Sequence, residues 1–174
     1  MIKQDISENL VNYAYISIGS NLGNRFQNIN LTKINLMSKS VKILKTSSNY
    51  ETLSWPDPKM PKFINAILLI KTSFSAKELL NYCQSIEIKL GRKRFKKNNP
   101  RTCDIDIIDF NNKVFDLSDS TDLKLPHIAM QTRNFVLVPL YEISKKWTHP
   151  QNKKNIKKLI NSLKMSDLRA IKQL

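Results

Sequence analysis

A capping box at Ser75-Ala76-Lys77-Glu78 separates two apolar, β-branched runs at residues 63–72 and 103–110. In such a box the serine hydroxyl and the glutamate carboxylate each satisfy a backbone amide left unpaired at a helix start. Leu79, Cys83, Ile86 and Leu90 follow at i, i+4, i+7 and i+11, one apolar stripe, and Gly91 supplies the stop. Strand, helix and strand therefore succeed one another here. The N-terminal half repeats the pattern. Residues 13–18 read as a strand ended by Gly19-Ser20-Asn21, Phe26, Ile29, Ile34 and Met37 recur at roughly helical spacing over 24–38, and 41–50 reads as an edge strand. Residues 54–61 hold three prolines and cannot be regular. The order βαββαβ predicts an α+β, ferredoxin-like core: an antiparallel sheet with both helices on one face.

Beyond that core come a loop at Leu125-Pro126-His127, a mixed apolar stretch over 132–143 and a Lys-rich helix candidate over 155–163, read as additions. We expect a single domain over 1–174, with 1–12 as an N-terminal extension and 144–174 as a Lys-rich C-terminal tail or helix. The two cysteines, Cys83 and Cys103, have neither disulfide nor metal spacing and read as buried free thiols. No signal peptide and no apolar run of membrane-spanning length is present, so a soluble, cytoplasmic protein is expected.

The acids are scarce. Against 29 Lys and Arg stand 14 Asp and Glu, a formal net charge of +15. That excess points to an anionic partner (nucleic acid, phosphorylated ligands or a membrane surface), or else to the base composition behind a Lys-, Asn- and Ile-rich chain. Within the apolar run 103–110, Asp104 and Asp106 are two apart, so a strand projects both from the same side. Burying like charges together is costly unless a cation lies between them, and Mg²⁺ is usually held by one or two carboxylates plus substrate phosphates. The alternative is a strand with its wet side lined by Asp.

The segment Arg92-Lys93-Arg94-Phe95-Lys96-Lys97-Asn98-Asn99-Pro100-Arg101 precedes that strand. Arginine forks bind phosphate oxygens bidentately, and a cationic loop beside an acidic metal site suits a polyphosphate. A merely solvated charge run is the bland reading. The turn at 19–25 is not a P-loop, since no Gly-Lys-Ser/Thr follows. His127 is either a structural hydrogen-bonder or, with Arg133, a phosphate contact. Phe63 and Asn65 share one strand face, which suits a flat heterocycle with hydrogen-bonding edges, or places Phe63 in the core. Phe135 lies in a core-like run and could instead stack on a ring.

These residues resemble a known family. Tyr15-Ile16-Ser17-Ile18-Gly19-Ser20-Asn21-Leu22-Gly23, Phe63-Ile64-Asn65-Ala66, Ile86-Glu87 with Leu90-Gly91-Arg92, Pro100-Arg101-Thr102-Cys103-Asp104-Ile105-Asp106, and Pro126-His127 with Arg133-Asn134-Phe135-Val136-Leu137-Val138-Pro139-Leu140 occur in that order. Together they resemble the 6-hydroxymethyl-7,8-dihydropterin pyrophosphokinases of folate biosynthesis. The resemblance implies a ferredoxin-like core and transfer of pyrophosphate from ATP to the pterin hydroxymethyl group, releasing AMP. It implies Arg92, Arg101, Asp104 and Asp106 as catalytic residues, with Asp104 and Asp106 holding two Mg²⁺ ions. It assigns Gln84, Glu87, Arg94, His127 and Arg133 to ATP, and Thr52, Leu53, Phe63, Asn65 and Phe135 to the pterin. The partners are then ATP and the pterin, with no nucleic acid and no membrane, and the protein is expected to be a monomer. An RNA-binding module of the same strand order would need exposed aromatics where this chain has carboxylates. A catalytically dead scaffold would not need Asp104, Asp106, Arg92 and Arg101.

Overall fold

The computed structural model describes residues 11–55, 57–92, 99–117 and 123–174. The elements run β1 (Asn12–Ser20), α1 (Arg25–Leu36), β2 (Val41–Thr46), β3 (Tyr50–Thr52), β4 (Phe63–Thr72), α2 (Ala76–Lys89) and β5 (Asp104–Phe110). They continue with β6 (Phe115–Leu117), β7 (Leu123–Leu125), a 3₁₀ turn (Ile128–Thr132), α3 (Asn134–Ile143), α4 (Ile156–Asn161), α5 (Met165–Arg169) and β8 (Lys172–Gln173). In the main sheet β5, β1 and β4 lie side by side and antiparallel, and both β2 and β3 pair along the far edge of β4. That arrangement is the expected ferredoxin-like sheet, with its second strand in two pieces.

Alternation along the central strands explains the layers. Ala14, Ile16 and Ile18 of β1, Ile64, Ala66, Leu68 and Ile70 of β4, and Ile105 and Ile107 of β5 form one buried face. Helices α1 and α2 cover it through Ile29, Leu36, Leu79, Cys83 and Ile86. Each of the buried Ile and Leu side chains contributes roughly 1.5–3 kcal/mol on burial. The capping box forms as expected, with Ser75 Oγ and the Glu78 carboxylate each accepting the other's backbone N–H. Gly91 stands at φ +83° just past the helix, a conformation that suits glycine. Both cysteines are buried free thiols, and burial pushes Cys103 up to about 11.

Four expectations need correction. The buried side of α1 is Ile29, Thr32 and Leu36, whereas Phe26, Ile34 and Met37 are about half exposed. Thr32 is tolerated inside because its hydroxyl donates to Asn28 O and meets Cys103 Sγ. The edge strand over 41–50 breaks at Ser47, which pairs with Ile67 through both its backbone N–H and its hydroxyl. Nor is β3 an edge, because β8 pairs with it. Asn12 already belongs to β1, its side-chain amide donating to Phe74 O. The helix expected over 155–163 is present as α4, and Trp147, Ile156 and Leu159 pack with Val136, Leu137 and Leu140 of α3 against Ile67 and Ile108 on the opposite sheet face. The stretch over 132–143 resolves into the end of the 3₁₀ turn and α3.

Candidate active site

The face of the sheet opposite α1 and α2 also carries the polar residues singled out in sequence. Asp104 pairs across β1 with Gly19, Gly19 pairs with Asn65 on β4, and Asn65 pairs with Tyr50 on β3. Asp106 shares the next row with Ser17 and Ile67. Phe63 stands opposite Thr52, and the Asn65 carboxamide donates to Thr52 Oγ1 at 2.9 Å. Period-two projection thus brings the acidic pair and the Phe63/Asn65 pair onto one surface.

Arginines neutralise the acids. Arg92 Nη1 donates to Asp104 Oδ1 at 2.5 Å and also contacts Glu87 Oε1, while Arg101 Nη2 donates to Asp104 Oδ2 at 2.6 Å. Buried Glu87 accepts in turn from the backbone N–H of Ile105 at 2.8 Å, which ties α2 to β5 beside the site. Burial alone would lower the Arg92 guanidinium, but Asp104 and Glu87 hold it above its ordinary value. Arg133 Nη1 donates to Asp106 Oδ2 at 3.2 Å, and His127 Nε2 stands 4.0 Å from the same oxygen. His127 Nδ1 accepts from Ala129 N–H, so that nitrogen is unprotonated and Nε2 faces the carboxylate. Removal from water, and then the Asp104 carboxylate, push Asp106 above the usual carboxylate range. Removal from water also lowers His127, partly offset by Asp106.

Two of these arginines also lie on aromatic rings. Arg101 sits over Phe63 at 5.2 Å from the ring centre, and Arg133 over Phe135 at 5.5 Å. Each therefore joins one carboxylate to one ring. Arg101 Nε is buried and makes no hydrogen bond among the described residues, a donor available to an anion.

The donor set suits a hard divalent cation. Asp104 and Asp106 supply carboxylate oxygens from one strand, and no cluster of three or more His, Cys, Asp or Glu able to hold a metal occurs among the described residues. A closed zinc site needs about four protein ligands, whereas Mg²⁺ completes its shell with water and substrate phosphate.

The 7,8-dihydro-6-hydroxymethylpterin-pyrophosphokinase (HPPK) family model matches residues 15–145, most of the chain. The chain belongs to the HPPK family. It is 36% identical over 143 residues to the 2-amino-4-hydroxy-6-hydroxymethyldihydropteridine pyrophosphokinase of Aquifex aeolicus, covering 82% of this chain and 87% of that one. The Synechocystis protein of the same name is 34% identical over 152 residues, covering 86% and 75%. This chain is also 34% identical over 158 residues to the folic acid synthesis protein fol1 of Schizosaccharomyces pombe, covering 90% of this chain but only 21% of that protein. A solved Plasmodium falciparum HPPK-DHPS structure with pteroate superposes with a TM-score of 0.72 at 17% identity, over 98% of this chain and 48% of that one, and so supports the fold.

Within this HPPK chain the predicted residues divide. Glu87, Arg92 and Arg101 gather around Asp104, and His127 and Arg133 around Asp106, two polar groups side by side on β5. Thr52, Asn65 and Phe63 form a third group, joined to the Asp104 group through Arg101. Phe135 joins through Arg133. Gln84 is half-buried one turn before Glu87 and makes no hydrogen bond to these residues among those described. Leu53 is a little under half exposed. Arg94 lies outside the described residues.

Sequence reasoning treated Asn21 as part of a turn. Its buried side chain accepts from Arg101 N–H at 2.7 Å and donates to Pro61 O at 3.1 Å and Ser54 Oγ at 3.3 Å. Asn21 thereby clips the segment bearing Arg101 to the proline-rich loop. The available signal was an amide at the end of a strand, beside the Gly19 that pairs with Asp104.

Proposed function

We propose that this chain transfers pyrophosphate from ATP to 6-hydroxymethyl-7,8-dihydropterin in folate biosynthesis, yielding the pterin diphosphate and AMP. The observation that carries the reading is the double role of Arg101 and Arg133, each bound to an aspartate and stacked on an aromatic ring. A polyphosphate chain and a flat ring would meet at such a surface. Phe63 and Phe135 would stack on the pterin, Asn65 would read its edge, and the backbone of Thr52 and Leu53 would border it. Gln84, Glu87, His127 and Arg133 would surround the nucleotide.

The pterin hydroxyl would attack the β-phosphorus, forming a new O–P bond as AMP leaves, with its proton released to water. Asp104 and Asp106 would hold two Mg²⁺ ions, which when bound supply charge neutralisation along the phosphates. Arg92 and Arg101 would stabilise the charge on the group being transferred. Both sit against Asp104, which would set their forks beside a polyphosphate held at that carboxylate. The protein would work as a cytoplasmic, monomeric single domain; among the described residues no helix is long and apolar enough to cross a membrane.

The test is to incubate the protein with ATP, Mg²⁺ and 6-hydroxymethyl-7,8-dihydropterin and to separate the nucleotides. AMP formed in step with pterin diphosphate is the expected result. ADP would mean a simple kinase, and no turnover would overturn the reading. Chelation of divalent metal should abolish AMP formation, and addition of Mg²⁺ should restore it.

A further inference from the structure

The residues proposed to hold the acceptor come from elements far apart in sequence. Phe135 lies in the first turn of α3, whereas Thr52 and Asn65 lie on β3 and β4. Much of the contact between α3 and the sheet is aliphatic, with Val136, Leu137 and Leu140 packed on Ile67 and Ile108. Such contact excludes water but has no direction, so it resists sliding weakly. Hydrogen bonds are directional, and they set the register of the helix on the sheet.

Glu142, in the last turn of α3, reaches the start of β3. Its Oε1 accepts from Ser48 N–H at 3.0 Å and from the Ser48 hydroxyl at 2.9 Å, and its Oε2 accepts from the Tyr50 hydroxyl at 2.8 Å. Tyr50 is buried and stands opposite Asn65. Thr52 is two residues on, so it shares that face, and its Oγ1 accepts from the Asn65 carboxamide. Tyr50, Asn65 and Thr52 are thus neighbours on one surface, with Glu142 bonded to the first. Phe135 and Glu142 are seven apart on α3, two turns along one side of the helix. The other polar ties at this end of α3 go elsewhere: Lys45 Nζ of β2 donates to Ile143 O at 3.3 Å, and the Tyr15 hydroxyl of β1 donates to Ser144 Oγ at 2.8 Å. Burial, and then the Glu142 carboxylate, push the Tyr50 hydroxyl up to about 12, so it stays a donor at neutral pH.

We infer that Glu142 is a positioning residue for the acceptor: by gripping Ser48 and Tyr50 it keeps α3, with Phe135, in register with Thr52 and Asn65 before the substrate arrives. This rests on the proposed reading of the site. Glu142 acts through Ser48 and Tyr50, which occupy its carboxylate. A site held in register beforehand spares the ligand the cost of ordering it. The nucleotide side depends on this grip far less. Glu87, Arg92 and His127 lie outside α3, and Arg133, which precedes it, is held by Asp106.

The test compares wild type, Glu142→Ala and Glu142→Gln by calorimetry. The probes are 6-hydroxymethyl-7,8-dihydropterin and, with Mg²⁺, an ATP analogue bridged by a methylene between its α- and β-phosphates. Glu142→Ala is expected to weaken pterin binding about tenfold and to leave affinity for the analogue within about threefold of wild type. Glutamine keeps an oxygen for Ser48 and offers its amide to the Tyr50 oxygen, so Glu142→Gln should return pterin affinity to within about threefold of wild type. A lower Tm with pterin affinity within about threefold of wild type would make Glu142 merely structural and overturn the inference. An equal loss on both ligands, or no rescue by glutamine, would also overturn it. Should Glu142→Ala not fold, Tyr50→Phe takes its place, since it removes only the hydroxyl bonded to Glu142. A loss confined to the pterin supports the inference there, and unchanged pterin affinity overturns it. If wild type binds both probes yet forms no AMP from ATP, the proposed reaction fails, while the affinities still decide the role of Glu142. Wild type that binds no pterin would overturn both.

Discussion

Asn21 and Arg101 hold each other twice. Asn21 N–H donates to Arg101 O at 3.0 Å, and Arg101 N–H donates to Asn21 Oδ1 at 2.7 Å. The arginine that reaches Asp104 and Phe63 is thus fixed at its backbone by a residue from the first strand–helix turn. The same amide also bonds to Pro61 O and Ser54 Oγ.

Asn21→Ala would leave a part-buried Arg101 N–H without its acceptor. We expect a stability loss of about 1–3 kcal/mol, the cost of an unsatisfied buried donor. We also expect kcat to fall about tenfold, because Arg101 loses its register against Asp104. Thermal melting and steady-state AMP formation measure the two effects. An unchanged kcat in the destabilised variant would make Asn21 purely structural.

Asp104→Ala removes the acceptor shared by Arg92 and Arg101 and one of the two carboxylates assigned to the metal. Turnover should fall by about 1,000-fold or more, since metal and arginines act on the same developing charge. Single-turnover AMP formation over a Mg²⁺ titration gives the measurement. Near-wild-type turnover would remove Asp104 from the metal site.

Trp147→Phe should weaken the fold and leave the chemistry alone. Trp147 Nε1 donates at 2.7 Å to Asp109, whose side chain is buried. Phenylalanine keeps most of the apolar contact and takes the donor away, at a cost of about 1–3 kcal/mol. A lower Tm with kcat and KM preserved is expected. A matching loss of activity would mean that the tail steers the site.

His149 gives the tail a pH dependence. It is buried, its Nδ1 accepts from the N–H groups of Gln151 and Asn152, and burial lowers its pKa. The folded value thus lies below the unfolded value of about 6.5, so the neutral ring belongs to the native state. Its contribution is present above about pH 6.5 and is lost as pH falls through that value toward the folded pKa. Replacing His149 by Asn retains an acceptor and removes the titration. The Tm advantage of wild type over His149→Asn should therefore shrink between about pH 8 and pH 5. A gap independent of pH would refute this.

Much of the core was legible because its signals are local. The Ser75–Glu78 box and the Leu79, Cys83, Ile86 stripe specify α2 with no reference to the rest of the chain. Asp104 and Asp106 share a face through strand periodicity alone. The corrected parts depend on partners distant in sequence. Thr32 is buried because Cys103 lies beside it, and the apolar count over α1 misled because Phe26, Ile34 and Met37 stay near solvent. Ser47 breaks the second strand by meeting Ile67. The tail holds few apolar residues, and its anchors, Trp147, Ile156 and Leu159, pack against α3 and two residues of the sheet. The role of Asn21 exists only once the ends of three loops have converged.

If the chain works as proposed, the placement of Arg101 over Phe63 would tie the fate of the two substrates together. A compound that mimics the flat acceptor would press on this ring, and a chain under pressure to exclude it would change Phe63 first. Losing the ring would also leave the guanidinium over Asp104 unsupported. Escape from such a compound and retention of turnover would therefore pull against each other at one side chain, and this ring would be a poor place from which resistance could arise.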